Sequence, residues 1–200
     1  MKPHSVKPAL KPRKTPRQAR SAATVDVILE AAAHILERSG FDGYSTNAIA
    51  QKAGVSIGSL YQYFPTRDAI TCELIHRQNT QLTHEIAEIG GMHSGAATLE
   101  KIIDIAVENQ LQRPALNRIL DLEEARLSPE SSHNAESVSE KFQQALTALG
   151  YPPHGVVVGD LIAIIRGMVD AAGQKKNLDQ PDLSLRIQAA VFGYLEKRWG

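Results

Sequence analysis

The residues best suited to chemistry lie in one run: Ser45-Thr46-Asn47-Ala48-Ile49-Ala50-Gln51-Lys52-Ala53-Gly54-Val55-Ser56-Ile57-Gly58-Ser59-Leu60-Tyr61-Gln62-Tyr63-Phe64. Its hydroxyls, phenols and amides donate and accept hydrogen bonds, which is recognition chemistry. Ser45 stands where a helix N-cap is wanted, ahead of Ala48, Ile49 and Ala53, and Ser56 stands likewise before Ile57 and Leu60. Gly54 allows the positive φ of a tight turn between the two short helices. Pro65 ends the second, because the residue before a proline avoids the α region. Two short helices joined by such a turn match a helix-turn-helix. Ala50 and Ala53 let the helices cross closely, and Ile49, Val55 and Leu60 are expected to bury against a preceding helix. The second helix is then free to enter a DNA major groove, and Gly58 lets its backbone approach the duplex.

Catalytic patterns do not compete with this reading. The chain has no phosphate-cradling glycine loop, no zinc-ligand spacing and no nucleophile elbow, so neither a catalytic site, a metal nor a cofactor is expected. His76, His84 and Glu85 fall on one helical segment, but the two histidines are eight residues apart. Cys72 is the sole cysteine, so no intramolecular disulfide exists and a redox role would lack a resolving thiol within the chain.

Charge separates the two ends of this 200-residue, formally neutral chain. Residues 1–70 carry ten basic and five acidic groups, and the remainder twelve basic and seventeen acidic. Lys2, Lys7, Lys11, Arg13, Lys14, Arg17 and Arg20 precede any acid and are interspersed with Pro3, Pro8, Pro12 and Pro16. This pattern predicts a basic, extended arm over residues 1–20, serving either a polyanion partner or simple solubility. The most apolar stretch, Val156 to Ala172, contains Asp160, Arg166 and Asp170, which argues against a membrane span. With no signal-like apolar run at the start, a cytoplasmic protein is expected.

Helical spacing accounts for the rest. Val25, Ile28, Leu29, Ala32, Ile35 and Leu36 share one face of a first helix that Gly40 stops. Thr66 can cap a long helix carrying Ile70, Leu74, Ile75, Leu82 and Ile86. Further helices are predicted over 97–112, 114–127, 137–149, 155–172 and 182–199, and no segment alternates as a strand. The expected fold is therefore all-α, with about nine helices. It comprises the arm (1–20), a helix-turn-helix domain (21–66) and a helical ligand-binding and dimerisation domain (67–200).

Residues 21–70 resemble the TetR family of bacterial regulators. The matching elements are Ile49-Ala50-x-x-Ala53-Gly54-Val55-Ser56-x-Gly58-x-Leu60-Tyr61-x-Tyr63-Phe64, the Phe41-x-x-Tyr44-Ser45 approach, and Arg67 where the family often has lysine. The resemblance implies a repressor that binds a palindromic operator in double-stranded DNA as a homodimer and is released by a small-molecule effector. A helical adaptor that contacts protein instead is the alternative. Ser45, Thr46, Ser56, Ser59, Tyr61, Tyr63 and Arg67 would lie along the phosphates, with capping the competing role for Ser45 and packing for Tyr63. Gln62 can pair with adenine, and Ile57, apolar where the family often has a basic residue, can touch a thymine methyl. Arg17 and Arg20 would reach a minor groove or the backbone.

The family dimerises through its last two long helices. Gly159, Ala163, Gly167 and Ala171 form a ridge of small residues suited to that contact, with Val191 and Leu195 expected to join it from the final helix. The family's effector pocket lies among the middle helices, where Asn79, Asn109, Glu123 and Arg166 are the candidate polar lining. Arg166 has the competing role of pairing with Asp170.

Overall fold

A computed structural model describes residues 19–89, 94–127, 135–173 and 180–199. The described residues form nine α-helices and no strand: α1 (Ala19–Ser39), α2 (Thr46–Ala53), α3 (Ile57–Tyr63), α4 (Arg67–Ala87), α5 (Gly95–Gln112), α6 (Pro114–Leu127), α7 (Ala135–Ala148), α8 (Gly155–Gly173) and α9 (Gln180–Trp199). None of the described helices is long and apolar enough to cross a membrane. The basic arm expected over 1–20 lies outside the described residues except at its end. There α1 begins at Ala19, which puts Arg20 in a helical first turn and not in the arm.

The chain divides into two compact units, Met1–Arg77 with Ile119–Pro129, and Gln78–Arg118 with Glu130–Gly200. The first unit thus takes in the opening turns of α4 and the end of α6, beyond the boundary at residue 66 expected from the motif alone. Its core is built on α1, whose Val25, Ile28, Leu29, Ala32 and Leu36 are buried. Leu36 O accepts from Gly40 N at 2.9 Å, and Gly40 takes the left-handed conformation (φ 57°) that stops the helix. Buried Tyr44 joins the loop after α1 to α4. Thr71 Oγ1 donates to the Arg67 carbonyl (3.2 Å), which leaves the Tyr44 hydroxyl to donate to Thr71 (3.1 Å). Burial pushes the Tyr44 phenol up to about 12. At the surface Arg77 binds Asp26 of α1 (2.6 Å) and Glu73 (3.2 Å). Arg126, near the end of α6, binds both Glu123 (2.7 Å) and Asp68 of α4 (3.3 Å).

The second unit packs α5, α7, α8 and α9 around one apolar core, including Leu99, Ile103, Phe142, Leu146, Val157, Leu161, Ile165, Ile187, Val191 and Leu195. Ser94 caps α5 by accepting from Ala97 N (3.2 Å). Gly95 then lies directly against α7: a Cβ there would overlap the Ala145 carbonyl oxygen and crowd Leu149. Tyr194 of α9 donates to Asp160 of α8 (2.5 Å), and Tyr151 stacks on Trp199 at 5.1 Å.

Gly95→Ala is therefore expected to lower the Tm by roughly 3–10 °C in a circular-dichroism melt, because the clash is with backbone that cannot rotate aside. Tyr44 makes a separate prediction. Its folded pKa, about 12, exceeds the ordinary tyrosine value of about 10, so its contribution to stability is complete below the ordinary value and lost as the pH rises toward the folded one. Urea unfolding at pH 9 and pH 11 should show that loss in the native chain, and Tyr44→Phe should lack this component.

Candidate nucleic-acid interface

The local structure of residues 45–67 follows from its caps. Ser45 accepts from Ala48 N (3.2 Å) and opens α2. Gly54 closes α2 in the left-handed conformation (φ 68°), and Val55 N returns to the Ala50 carbonyl (3.0 Å). Ser56 accepts from Ser59 N (3.0 Å), and the two serine hydroxyls bond to each other (2.8 Å). Thr66 accepts from Ala69 N (3.0 Å) and opens α4. Ile49, Ala50, Leu60 and Phe64 are buried, and Val55 is half-buried. One side of α3 is thereby fixed inward.

The other side of α3 is open. Ile57 is 38% exposed and Tyr61 42% exposed, and Gly58 and Gln62 are exposed beside them. Residues four apart share a helix face, so Ile57 with Tyr61, and Gly58 with Gln62, form two adjoining rows. Thr46 Oγ1 and the Tyr61 hydroxyl lie 3.1 Å apart, which ties the rim of α2 to the exposed face of α3. Tyr63 and Ser59 are half-buried. The Arg67 guanidinium donates to the Tyr44 carbonyl (3.2 Å) and lies 3.8 Å from Asp68, with half its side chain still in solvent. Arg17 lies outside the described residues, and of Arg20 only the backbone is described. The structure thus gathers Thr46, Ile57, Gly58, Tyr61 and Gln62, with Ser45, Ser56, Ser59 and Arg67 engaged in holding the frame around them. Tyr44, which anchors both Arg67 and Thr71, stood in the sequence as part of the approach to α2. Its bonding partner 27 residues away could not be seen there.

On α8 the small residues Gly159, Ala163, Gly167 and Ala171 are exposed, while Val157, Leu161, Ile165 and Val169 turn inward. A Cβ added at Gly159, Gly167 or Gly193 would meet nothing within 4 Å, so the backbone there borders open space. Val191 and Leu195 correct the expectation for α9. They are 0% and 1% exposed and belong to the chain's own core, because their face of α9 is already covered by α8 and α5. Among the described residues, the exposed apolar and small residues of α9 are instead Leu185, Ala189 and Gly193, alongside exposed charged residues such as Arg186 and Glu196.

The candidate effector-binding residues divide. Glu123 belongs to the first unit and binds Arg126. Arg166 is exposed and sits 4.0 Å from Asp170. Asn79 and Asn109 are half-buried in the second unit, and their carbonyls accept from Thr83 (2.6 Å) and Asn117 (2.9 Å). The deeply buried polar side chains of that unit are Gln110 and Asn117. Gln110 Nε2 has no hydrogen-bond partner among the described residues, and a Cβ at Gly173 would lie 2.9 Å from it. Nothing in the periodicity of α5 distinguished Gln110 from a core-facing apolar residue.

Residues 28–74 match the model of the bacterial regulatory proteins of the tetR family. An uncharacterised HTH-type transcriptional regulator of Mycobacterium tuberculosis is 26% identical over 132 residues, which are 66% of this chain and 65% of that protein. The alignment thus spans just under two thirds of the relative's length. Another such regulator, from Bacillus subtilis, is 30% identical over 81 residues, 40% of each chain. Among solved structures, the fatty acid degradation regulator FadR of Bacillus halodurans superposes with a TM-score of 0.73 at 15% identity, covering 88% of this chain and 96% of its own. A TetR-like transcriptional regulator from Rhodococcus superposes with a TM-score of 0.68 at 16% identity, covering 92% and 99%. The match to the tetR-family model thus falls on the helix-turn-helix and the start of α4, and over its length the chain has the fold of these regulators.

Proposed function

We propose that the protein is a cytoplasmic, homodimeric repressor that binds a palindromic operator in double-stranded DNA and releases it when a small molecule binds. The observation that carries the reading is the open face of α3, with Ile57, Gly58, Tyr61 and Gln62 exposed and Leu60 buried beneath them. A helix held in that way can lie in a major groove. Hydroxyls of Thr46 and Tyr61 at its edge, and the half-exposed Arg67, are suited to the flanking phosphates. Arg17 and Arg20 would add contacts from the N-terminal side.

Dimerisation through α8 and α9 is supported by the exposed ridge of Gly159, Ala163, Gly167 and Ala171, which permits close approach of a second helix. A two-fold dimer presents two copies of α3 and therefore asks for an inverted repeat. For the effector, the orphaned amide of Gln110 supports a ligand bearing a hydrogen-bond acceptor. A buried donor without a partner costs roughly 1–3 kcal/mol, which a bound acceptor recovers. Helix α4 runs from Arg67 and Asp68 beside the helix-turn-helix into the second unit. In this reading the ligand favours a pose of α4 that mis-spaces the two copies of α3, and DNA must weaken ligand binding by the same factor.

Selection of bound duplexes from a random pool tests the reading and is expected to return an inverted repeat. Gly159→Leu, at a helical position with open space around it, should leave the fold intact, since leucine suits a helix better than glycine. It should shift sedimentation toward monomer and weaken binding to the selected repeat by about tenfold or more. A consensus without two-fold symmetry, or a monomeric native chain, would contradict the dimer. The absence of any enriched sequence would favour the helical adaptor.

A further inference from the structure

We propose that the half-site read by α3 is built on A·T pairs and identified through thymine 5-methyl groups, with Ile57 making the methyl contact and Gln62 pairing with adenine. The inference rests on the DNA-binding reading above and specifies its target.

Three observations converge on it. The first is charge: from Ile57 to Tyr63, α3 carries no acidic or basic residue. The commonest specific reader of guanine is a bidentate Arg or Lys, and the open face of α3 has neither. The neighbouring Arg67 is drawn back onto the Tyr44 carbonyl and Asp68.

The second is how the polar groups are spent. Ser56 and Ser59 bond to one another and cap the helix, and the Tyr61 hydroxyl is bonded to Thr46. The groups left uncommitted on the face are the Gln62 amide and the apolar side chain of Ile57. A Gln amide matches the adenine N6 and N7 pair, and the thymine methyl is the apolar group that base pairs present in the major groove.

The third is Gly58. Its φ is not in the left-handed region, and a Cβ there would meet nothing nearer than Ser56 Oγ at 3.9 Å. Alanine would fit the fold and suit the helix better. A glycine that the protein's own packing does not require, directly beside Ile57 and Gln62, lets an outside surface come close to the helix backbone at that point.

The test begins with the duplex selected by the full chain from a random pool, resynthesised with deoxyuridine for thymidine in each half-site. This deletes the 5-methyl and leaves pairing intact. The native protein should bind the uridine duplex about three- to fivefold more weakly for each contacted methyl. Ile57→Ala should bind the two duplexes equally, and Ile57→Val should keep part of the difference. Gly58→Ala should hold or raise the Tm while weakening binding to both duplexes, which separates a contact effect from a folding defect. A selected half-site with a G·C core, a native protein indifferent to the methyl, or a methyl effect that survives Ile57→Ala would each overturn the inference and leave the DNA-binding reading standing. A pool in which nothing is enriched at any salt concentration would bring down that reading, and this inference with it.

Discussion

A helix of seven residues is not stable alone in water, and α3 is that length. The open face of α3 therefore depends on the burial of Leu60 and Phe64 against the first unit's core. Burial of Leu60 fixes the rotation of α3 about its axis and so decides that Ile57, Gly58, Tyr61 and Gln62 face outward. The caps of α3 at Ser56 and Phe64 complete the arrangement by pairing backbone groups at its two ends, as Gly54 does at the end of α2.

The frame around α3 is tied down by a small set of longer-range contacts. Tyr44 links the loop before α2 to Thr71, and the Arg67 guanidinium returns to the Tyr44 carbonyl. Asp68, next to Arg67, is also held by Arg126 from the end of α6. The exposed Arg126–Asp68 ion pair contributes little stability of its own. The consequence of these contacts is positional: they place the start of α4 and the end of α6 in the same compact unit as α3.

The helix-turn-helix was legible in the sequence because its determinants are local. Ser45, Gly54, Ser56, Pro65 and Thr66 mark ends within a few residues of where the structure has them. The two ridges of α8 were legible for a similar reason, since small and large residues recur every four positions along one helix. Periodicity shows that a face is apolar but not what covers it, and Val191 and Leu195 illustrate the difference. Their stripe on α9 is filled by α5 and α8 of the same chain, so it is core and not an open surface. Contacts such as Asp26 with Arg77, 51 residues apart, have no local signature at all. Gln110 is a further case: it occupies a core position of α5, and that its amide nitrogen has no partner among the described residues emerges only when the surrounding helices are in place.

If the outward face of α3 lies in a DNA groove, a photoreactive p-benzoylphenylalanine in place of Gln62 should crosslink to bases within each half-site of the selected duplex. The same residue in place of the exposed Glu30 of α1, the reference position, should not. A bound complex in which position 62 fails to crosslink, or in which both positions crosslink equally, would contradict that placement.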